Sequence, residues 1–310
     1  MNKFYSHGKL LLTGEYAVLD GVKALAVPTK KGQSLCVTPT STGHIEWKSF
    51  GHDEGLWMEA IFDEKGKCIA PKRTPKHYIE RLEQILGVIH SHAPASLGKG
   101  VRIETFLEFP QQWGLGSSST LISNLSQWTK INPYLLLEKT FGGSGYDIAA
   151  AQHDSAIFYQ RNFHAPQVET VRFSPPFQGQ LFFVYLNQKQ NSRNAIADYR
   201  QSSATIDKEN SFARIADLGT QLPKITDQKT FNACLKAHEA CVGELIGQRP
   251  IQERLFADFD GQLKSLGAWG GDFILASGNA ETPAYFSKKG FSTIFSFADF
   301  LWSKKNPLQN

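Results

Sequence analysis

Residues 110–120 read PQQWGLGSSST. Gly114 and Gly116 frame Leu115, and Ser117, Ser118, Ser119 and Thr120 follow at once. Glycine lets a backbone turn tightly and lets a ligand approach it closely. If a helix begins at the serines, its first amide N–H groups have no partner within the helix. Together with the helix dipole they make a site for an anion. A serine hydroxyl is also a hard oxygen ligand of the kind that magnesium takes. The chemistry would be that of a phosphate cradle, although the GK[ST] of a Walker loop is missing. A plainer role fits the same residues, in which the serines only cap a helix.

Two further glycine-rich turns stand beside periodic segments. In GGSGYDIAAAQ, residues 142–152, one acid, Asp147, follows a Gly-Ser-Gly turn and precedes small apolar residues. Such an Asp either caps a helix or, beside a phosphate, accepts the proton of a substrate hydroxyl. In LGAWGGDFILA, residues 266–276, a glycine-rich turn leads into an apolar run. A tight loop needing left-handed backbone would explain that one as well.

These turns need elements to hold them. Residues 10–12, 24–27, 34–39 and 44–47 read as short strands between Gly, Pro and Thr turns. Residues 75–92 carry Tyr78, Ile79, Leu82, Ile85, Leu86 and Ile89 at helical spacing. Residues 100–109 alternate like a half-buried strand. Residues 121–129 read as a helix closed near Asn132 and Pro133. Further along, 180–187 and 273–277 read as strands. Residues 203–218, 229–246 and 251–266 read as helices, and GFSTIFSF near the end as a strand before a helix-like tail. Strands and helices do not strictly alternate, which predicts an α+β fold.

The chain has 310 residues, enough for two subdomains. Its net charge of +4 is mild and its Lys and Arg are scattered, which speaks against a nucleic-acid surface. No stretch approaches the roughly 18 apolar residues that span a bilayer. The N-terminal residues do not read as a signal peptide, and Cys36, Cys68, Cys234 and Cys241 have no CxxC spacing. A reducing, cytoplasmic setting without a metal cluster is the expectation.

The three glycine-rich segments, taken with the N-terminus, resemble the GHMP kinase superfamily, which groups galacto-, homoserine, mevalonate and phosphomevalonate kinases. The resemblance covers most of the chain. SHGKLLLTGEYAVLDG, residues 6–21, is similar to the mevalonate-type first motif: Lys9, Gly14, Glu15, Ala17 and Val18 match, and His7 replaces a proline. Residues 110–120 resemble the second motif. GAWGGD, residues 267–272, resembles the third, with Trp269 where smaller residues are usual. GSGYDIAAA looks like the phosphomevalonate kinases, and YLNQKQNSR, residues 185–193, like the mevalonate kinases. The span between Thr120 and Gly142 is shorter than usual.

The resemblance implies a GHMP kinase fold, with an N-terminal mixed α/β nucleotide-binding part over 1–175 and a ferredoxin-like α+β part over 176–310. It implies an ATP- and Mg2+-dependent enzyme that phosphorylates a small mevalonate-like acceptor, with a homodimer left open. Gly114, Leu115, Gly116, Ser117, Ser118 and Ser119 would hold the ATP phosphates. Ser118 would ligate magnesium, with Glu138 as the candidate acid. Asp147 would be the base, and Lys9, near it, would lower the hydroxyl pKa and offset phosphoryl charge. Glu15, Ser144, Lys189, Gly270 and Gly271 would serve the substrate. Glu15 fits a surface ion pair equally well. Lys189, Ser192 and Arg193 could instead be solvated loop charge. Trp113 reads as a ring covering the loop rather than one lying on adenine. Rival readings are a diphosphomevalonate decarboxylase relative, a sugar or homoserine kinase, and a nucleotide-binding homologue without catalysis.

Overall fold

A computed structural model of the chain describes residues 1–162, 165–190, 192–202 and 208–303, with the side chains of residues 192, 193 and 202 outside it. The chain forms two compact units that interleave in sequence. One comprises Met1–Gly8, Lys31–Gln111 and Leu115–Gln152; the other comprises Lys9–Lys30, Gln112–Gly114 and His153–Asn310. Two long strands, β1 (Asn2–Thr13) and β2 (Ala24–Pro39), contribute to both.

In the first unit, β3 (Ile45–Phe50) pairs antiparallel with β4 (Leu56–Phe62), and β4 with β5 (Cys68–Ala70). After α1 (Lys76–His92), strand β6 (Val101–Leu107) runs parallel to β3 and antiparallel to β2, with Gln33 opposite Leu107 and Pro39 opposite Val101. Alternate residues of β3, β4 and β6 are buried. That period-two pattern gives the sheet one apolar face. Onto it pack Ile79, Leu82, Ile85, Leu86 and Ile89 of α1, at the spacing of a helix stripe. Three more helices complete this layer: α2 (Ser117–Thr129), α3 (Pro133–Thr140) and α4 (Tyr146–Ala151). Ile122, Leu125, Leu136 and Ile148 join the same core.

In the second unit, β7 (Ile157–Gln160) pairs with the start of β2 and with β8 (Gln167–Thr170). A separate four-stranded antiparallel sheet has the order β10-β11-β9-β12. Its strands are β9 (Leu181–Tyr185), β10 (Gln262–Ser265), β11 (Phe273–Ser277) and β12 (Ile294–Ser296). All of β9, β10 and β11 is buried, so both faces are covered. Phe182, Val184, Leu263, Ile274 and Ala276 meet Ile251 of α8 (Ile251–Leu255) and Phe286 of α9 (Thr282–Lys288). The long α7 (Gln228–Ile246) packs on β10. With α5 (Ser192–Ser202) and α6 (Lys208–Gln221), it encloses a further core around Tyr16, Ile215, Val242, Leu245 and Trp269. A short α10 (Phe297–Phe300) ends the described chain, capped by the Ser296 hydroxyl accepting from Asp299 N–H.

The α+β reading and its helices at 75–92 and 229–246 hold closely. Residues 24–27 and 34–39 are one strand, because Lys30 and Lys31 point out to solvent instead of turning. Residues 251–266 are not one helix. Leu255, Phe259 and Leu263 have helical spacing, but the helix stops at Leu255, Gly261 adopts φ 150°, and Leu263 pairs with Ala276 in the sheet. Residues 203–207 of the helix expected at 203–218 lie outside the described residues, as do the side chains of Ser192 and Arg193 and the last part of the tail.

Candidate functional site

Helix α2 starts four residues earlier than its apolar pattern suggests, at Ser117. Gly116 supplies the left-handed residue before it (φ 86°), and its carbonyl accepts from Thr120 N–H at 3.0 Å and Ser119 Oγ–H at 2.9 Å. Leu115 is fully buried and pins the loop. Ser117 and Ser118 are half-exposed at the helix start, where amide N–H groups have no intrahelical acceptor. The buried side of α2 is polar. Asn124 Nδ2–H donates to Gln33 O at 2.9 Å, Thr120 Oγ–H to Gln33 Oε1 at 2.7 Å, and Ser6 Oγ lies 2.7 Å from Ser123 Oγ and 2.9 Å from Asn124 Oδ1. These bonds fix where the helix start points.

Asp147 stands half-buried in the first turn of α4, behind Gly145 (φ 88°). Ile148, Ala149, Ala150 and Ala151 are buried, and the small alanines let α4 pack directly on α2. Tyr134 of α3 feels the carboxylate: burial, then the charge of Asp147, pushes its phenol up to about 12. Ser144 is buried just before α4. Glu138 is exposed near the end of α3.

In the second unit, three segments far apart in sequence meet. Lys9, 9% exposed, donates from Nζ to Gly114 O at 3.1 Å. Trp113 packs its ring against Tyr185, Phe273 and Phe295, with centroids 6.2, 5.7 and 5.3 Å away. Tyr185 Oη–H donates to Gln112 O. Asp272 adopts φ 54°; its N–H donates to Gln188 O at 2.7 Å, and its Oδ1 accepts from Gln190 N–H at 3.1 Å. A Cβ at Gly114 would lie 2.4 Å from Asp272 Oδ2, so only glycine permits this contact. Burial pushes the Asp272 carboxyl up, while Lys9 and Lys189 draw it back. Gly271 lies close under Gln188, where a Cβ would come within 2.6 Å of the carbonyl oxygen. Gly270 (φ 98°) and Gly271 thus shape a turn, and Lys189 is exposed beside it.

Glu15 is not in a surface ion pair. Gly14 (φ 84°) turns the chain inward, and the Glu15 carboxylate is 0% exposed. It takes the Lys264 ammonium as a direct partner and has His238 Nδ1 at 3.8 Å. Lys264 also lies 3.7 Å from Glu239, which accepts from Ser265 N–H and Oγ–H. His238 Nε2 accepts from Gly14 N–H at 3.1 Å. That bond requires the unprotonated nitrogen, and burial holds the imidazole well below its usual range. Burial pushes Glu15 up to about 7 although Lys264 draws it down. This cluster braces the turn after β1 and is not a surface ion pair.

Compared with protein-family models and with curated proteins, the sequence matches none. Its fold matches solved structures along nearly their whole length. A Lin0012 protein from Listeria innocua is 16% identical, with 94% of this chain and 96% of that one covered at TM-score 0.69. The Methanococcus jannaschii mevalonate kinase is 16% identical, with 98% of each chain covered at TM-score 0.68. The Streptococcus pneumoniae phosphomevalonate kinase, solved with phosphomevalonate and AMPPNP, is 14% identical, with 96% and 97% covered at TM-score 0.68. The chain has the GHMP kinase fold.

On this GHMP kinase fold, sequence reasoning missed Tyr134, Asp272 and the polar buried face of α2. Asp272 had a signal, as the one acid between a glycine turn and a buried strand. Tyr134 had none, because only folding brings it to Asp147. Among the described residues no group of three or more His, Cys, Asp and Glu gathers as a metal site. Magnesium bound with phosphates needs only one or two protein ligands. The half-exposed Ser118 hydroxyl fits that demand; Glu138 shows no further polar partner that would single it out.

Proposed function

We propose that the protein is an ATP-dependent phosphotransferase acting on a hydroxyl or phosphate of a small, mevalonate-like acceptor. One observation carries the reading. A serine-rich helix start, led by left-handed Gly116, shares a unit with Asp147 on the helix packed against it. Amide N–H groups of residues 116–119 bind phosphate oxygens, and the missing side chain at 116 lets a ligand approach the backbone closely. ATP supplies the γ-phosphoryl group when bound; Ser118 would hold magnesium with it. Asp147 takes the proton of the attacking hydroxyl, and Lys9 offsets negative charge on the transferred group. Phosphoryl transfer asks mainly for positioning and neutralisation, which these groups supply.

The mevalonate-like acceptor rests on GSGYDIAAA and YLNQKQNSR together with the fold shared with the two kinases named above. An ADP-release screen with mevalonate, phosphomevalonate, homoserine and several sugars tests the reading. ADP formation that depends on mevalonate or phosphomevalonate supports it. ADP released together with carbon dioxide moves the protein to the decarboxylase class. ATP binding without turnover on any acceptor removes the catalytic claim.

A further inference from the structure

Residues 15–17 form a turn of a rare kind. Tyr16 adopts φ 61° and ψ −49°, and Ala17 N–H donates to Glu15 O at 2.6 Å. This is a γ-turn of positive φ, the strained form, on a residue with a bulky side chain. Such strain persists only where the surroundings over-determine it, and it clusters at functional sites. Three contacts hold this turn. Gly14 N–H donates to His238 Nε2 at 3.1 Å, the Glu15 carboxylate bonds the Lys264 ammonium, and Tyr16 Oη accepts from Trp269 N–H at 3.0 Å. His238 lies 1% exposed on α7, outside the groups that the phosphoryl transfer above uses.

The contact with Gly14 fixes the state of the ring. Nε2 must be bare to accept, so the neutral imidazole carries its proton on Nδ1. Nδ1 lies 3.8 Å from Glu15 Oε2, and neither atom has a hydrogen-bond partner among the described residues. The Nδ1 proton is the group that answers this second carboxylate oxygen. The same cluster holds Glu15 on the turn, Glu239 on α7 and Lys264 on β10. An imidazolium would add a cation beside Lys264 and turn an N–H against Gly14 N–H. We infer that His238, as the neutral Nδ1–H imidazole, is a positioning residue that locks the γ-turn at Tyr16 and, through it, the turn at 267–272. Its part in turnover rests on the kinase reading above. The route is a series of contacts. Tyr16 Oη holds Trp269 N–H, and the Trp269 carbonyl accepts from Gln190 Nε2–H at 2.8 Å. Gln190 N–H donates to Asp272 Oδ1 at 3.1 Å, and Asp272 stands against Gly114, whose carbonyl accepts from Lys9. Lys9 is on β1, the strand that runs into the γ-turn, so these contacts close a ring within the second unit.

The test uses the full chain with its nine histidines labelled by 15N in the ring. His238→Gln identifies the His238 signals. At pH 7 they should show a proton on Nδ1 and a bare Nε2; a proton on Nε2 overturns the inference. His238→Gln offers a side-chain oxygen at nearly the reach of Nε2, whereas His238→Ala offers no acceptor. His238→Ala should speed hydrogen exchange at Gly14 and Trp269 N–H about 3–10-fold, the worth of one neutral hydrogen bond, while amides of α1 keep their rates. With ATP and mevalonate or phosphomevalonate, its kcat should fall by a similar factor while the KM of ATP holds, and His238→Gln should restore both exchange and kcat. If His238→Ala does not fold, Tyr16→Phe replaces it: exchange at Trp269 quickens, exchange at Gly14 does not, and kcat falls. Unchanged exchange at Trp269, faster exchange in α1 as well, an unchanged kcat in a variant whose exchange has quickened, or no restoration by His238→Gln each overturns the inference and spares the kinase reading. The expected ring signals and exchange rates, with no ADP from the wild type on any acceptor, keep the lock and sink the kinase reading.

Discussion

Lys264→Met strips one ammonium from a place where two carboxylates depend on it. Lys264 is 0% exposed on β10, directly bonded to Glu15 and 3.7 Å from Glu239 on α7. Methionine fills similar volume, so the loss is electrostatic and not a cavity. Removing one partner of a buried ion pair costs about 3–5 kcal/mol, because the remaining charge has no compensation. At about 2–4 °C per kcal/mol for a large domain, the melting temperature falls by roughly 10 °C. The effect depends on pH, with a definite sign. Glu15 has a folded-state pKa raised to about 7, above its ordinary 4.5. The folded state therefore keeps a proton that the unfolded chain loses, and stability declines as pH rises through about 7. His238 works the other way, since its lowered pKa costs stability only as pH falls below about 6.5. Between pH 6.5 and 8.5 the Glu15 contribution by itself takes roughly 1 kcal/mol from the wild type. Without Lys264 the Glu15 pKa climbs further, so the deficit of the variant widens from pH 6.5 to 8.5. Thermal unfolding by circular dichroism at both pH values reads this. Adding Glu15→Gln to Lys264→Met should return part of the loss, a coupling that the double-mutant cycle measures. A melting shift below about 2 °C, or a deficit that does not change over that pH window, refutes the buried-charge account.

Asp147→Asn should lower turnover by roughly 10²–10⁴-fold with little change in ATP affinity; steady-state ADP release and nucleotide titration separate the two, and wild-type turnover removes Asp147 from the mechanism. Gly116→Val places a β-branched residue at φ 86° and fills the open backbone, so nucleotide binding by calorimetry should vanish while the fold, read by circular dichroism, persists in weakened form. Asn124→Ala removes the buried donor to Gln33 O and one of the two buried partners of Ser6 Oγ, and should cost about 1–3 kcal/mol in urea unfolding.

What the sequence disclosed was local. The glycine–serine junction at 114–120 predicted a helix start, and α2 begins there because Gly116 takes the left-handed turn. The Gly-Ser-Gly before Asp147 predicted a turn into a helix in the same way. The stripe Ile79, Leu82, Ile85, Leu86, Ile89 fixed α1, since one face had a sheet to meet. Failures came where distant partners decide. Glu15 reads as a surface charge until Lys264, 249 positions away, is brought to it. Helix α2 hides its buried face behind Ser123 and Asn124, which look exposed by type but bond β1 and β2. Leu255, Phe259 and Leu263 keep helical spacing across a break that the sheet imposes on them.

The glycine at 114 shows why a motif is more than its chemistry. A flexible phosphate loop alone would tolerate alanine there at modest strain. Here the Gly114 carbonyl receives the Lys9 ammonium, and its Cα faces the Asp272 carboxylate. One residue from each of the segments 6–21, 110–120 and 267–272 therefore meets at a point with no space for a methyl group. The loop cannot shift without moving Lys9, and Asp272 cannot move without releasing Gln190, which in turn holds Trp269. A chain of single contacts thus runs from the lysine proposed to offset phosphoryl charge to the buried Trp269. Positioning is most of what phosphoryl transfer requires of a protein, and this unit provides it through backbone contacts that only glycine allows.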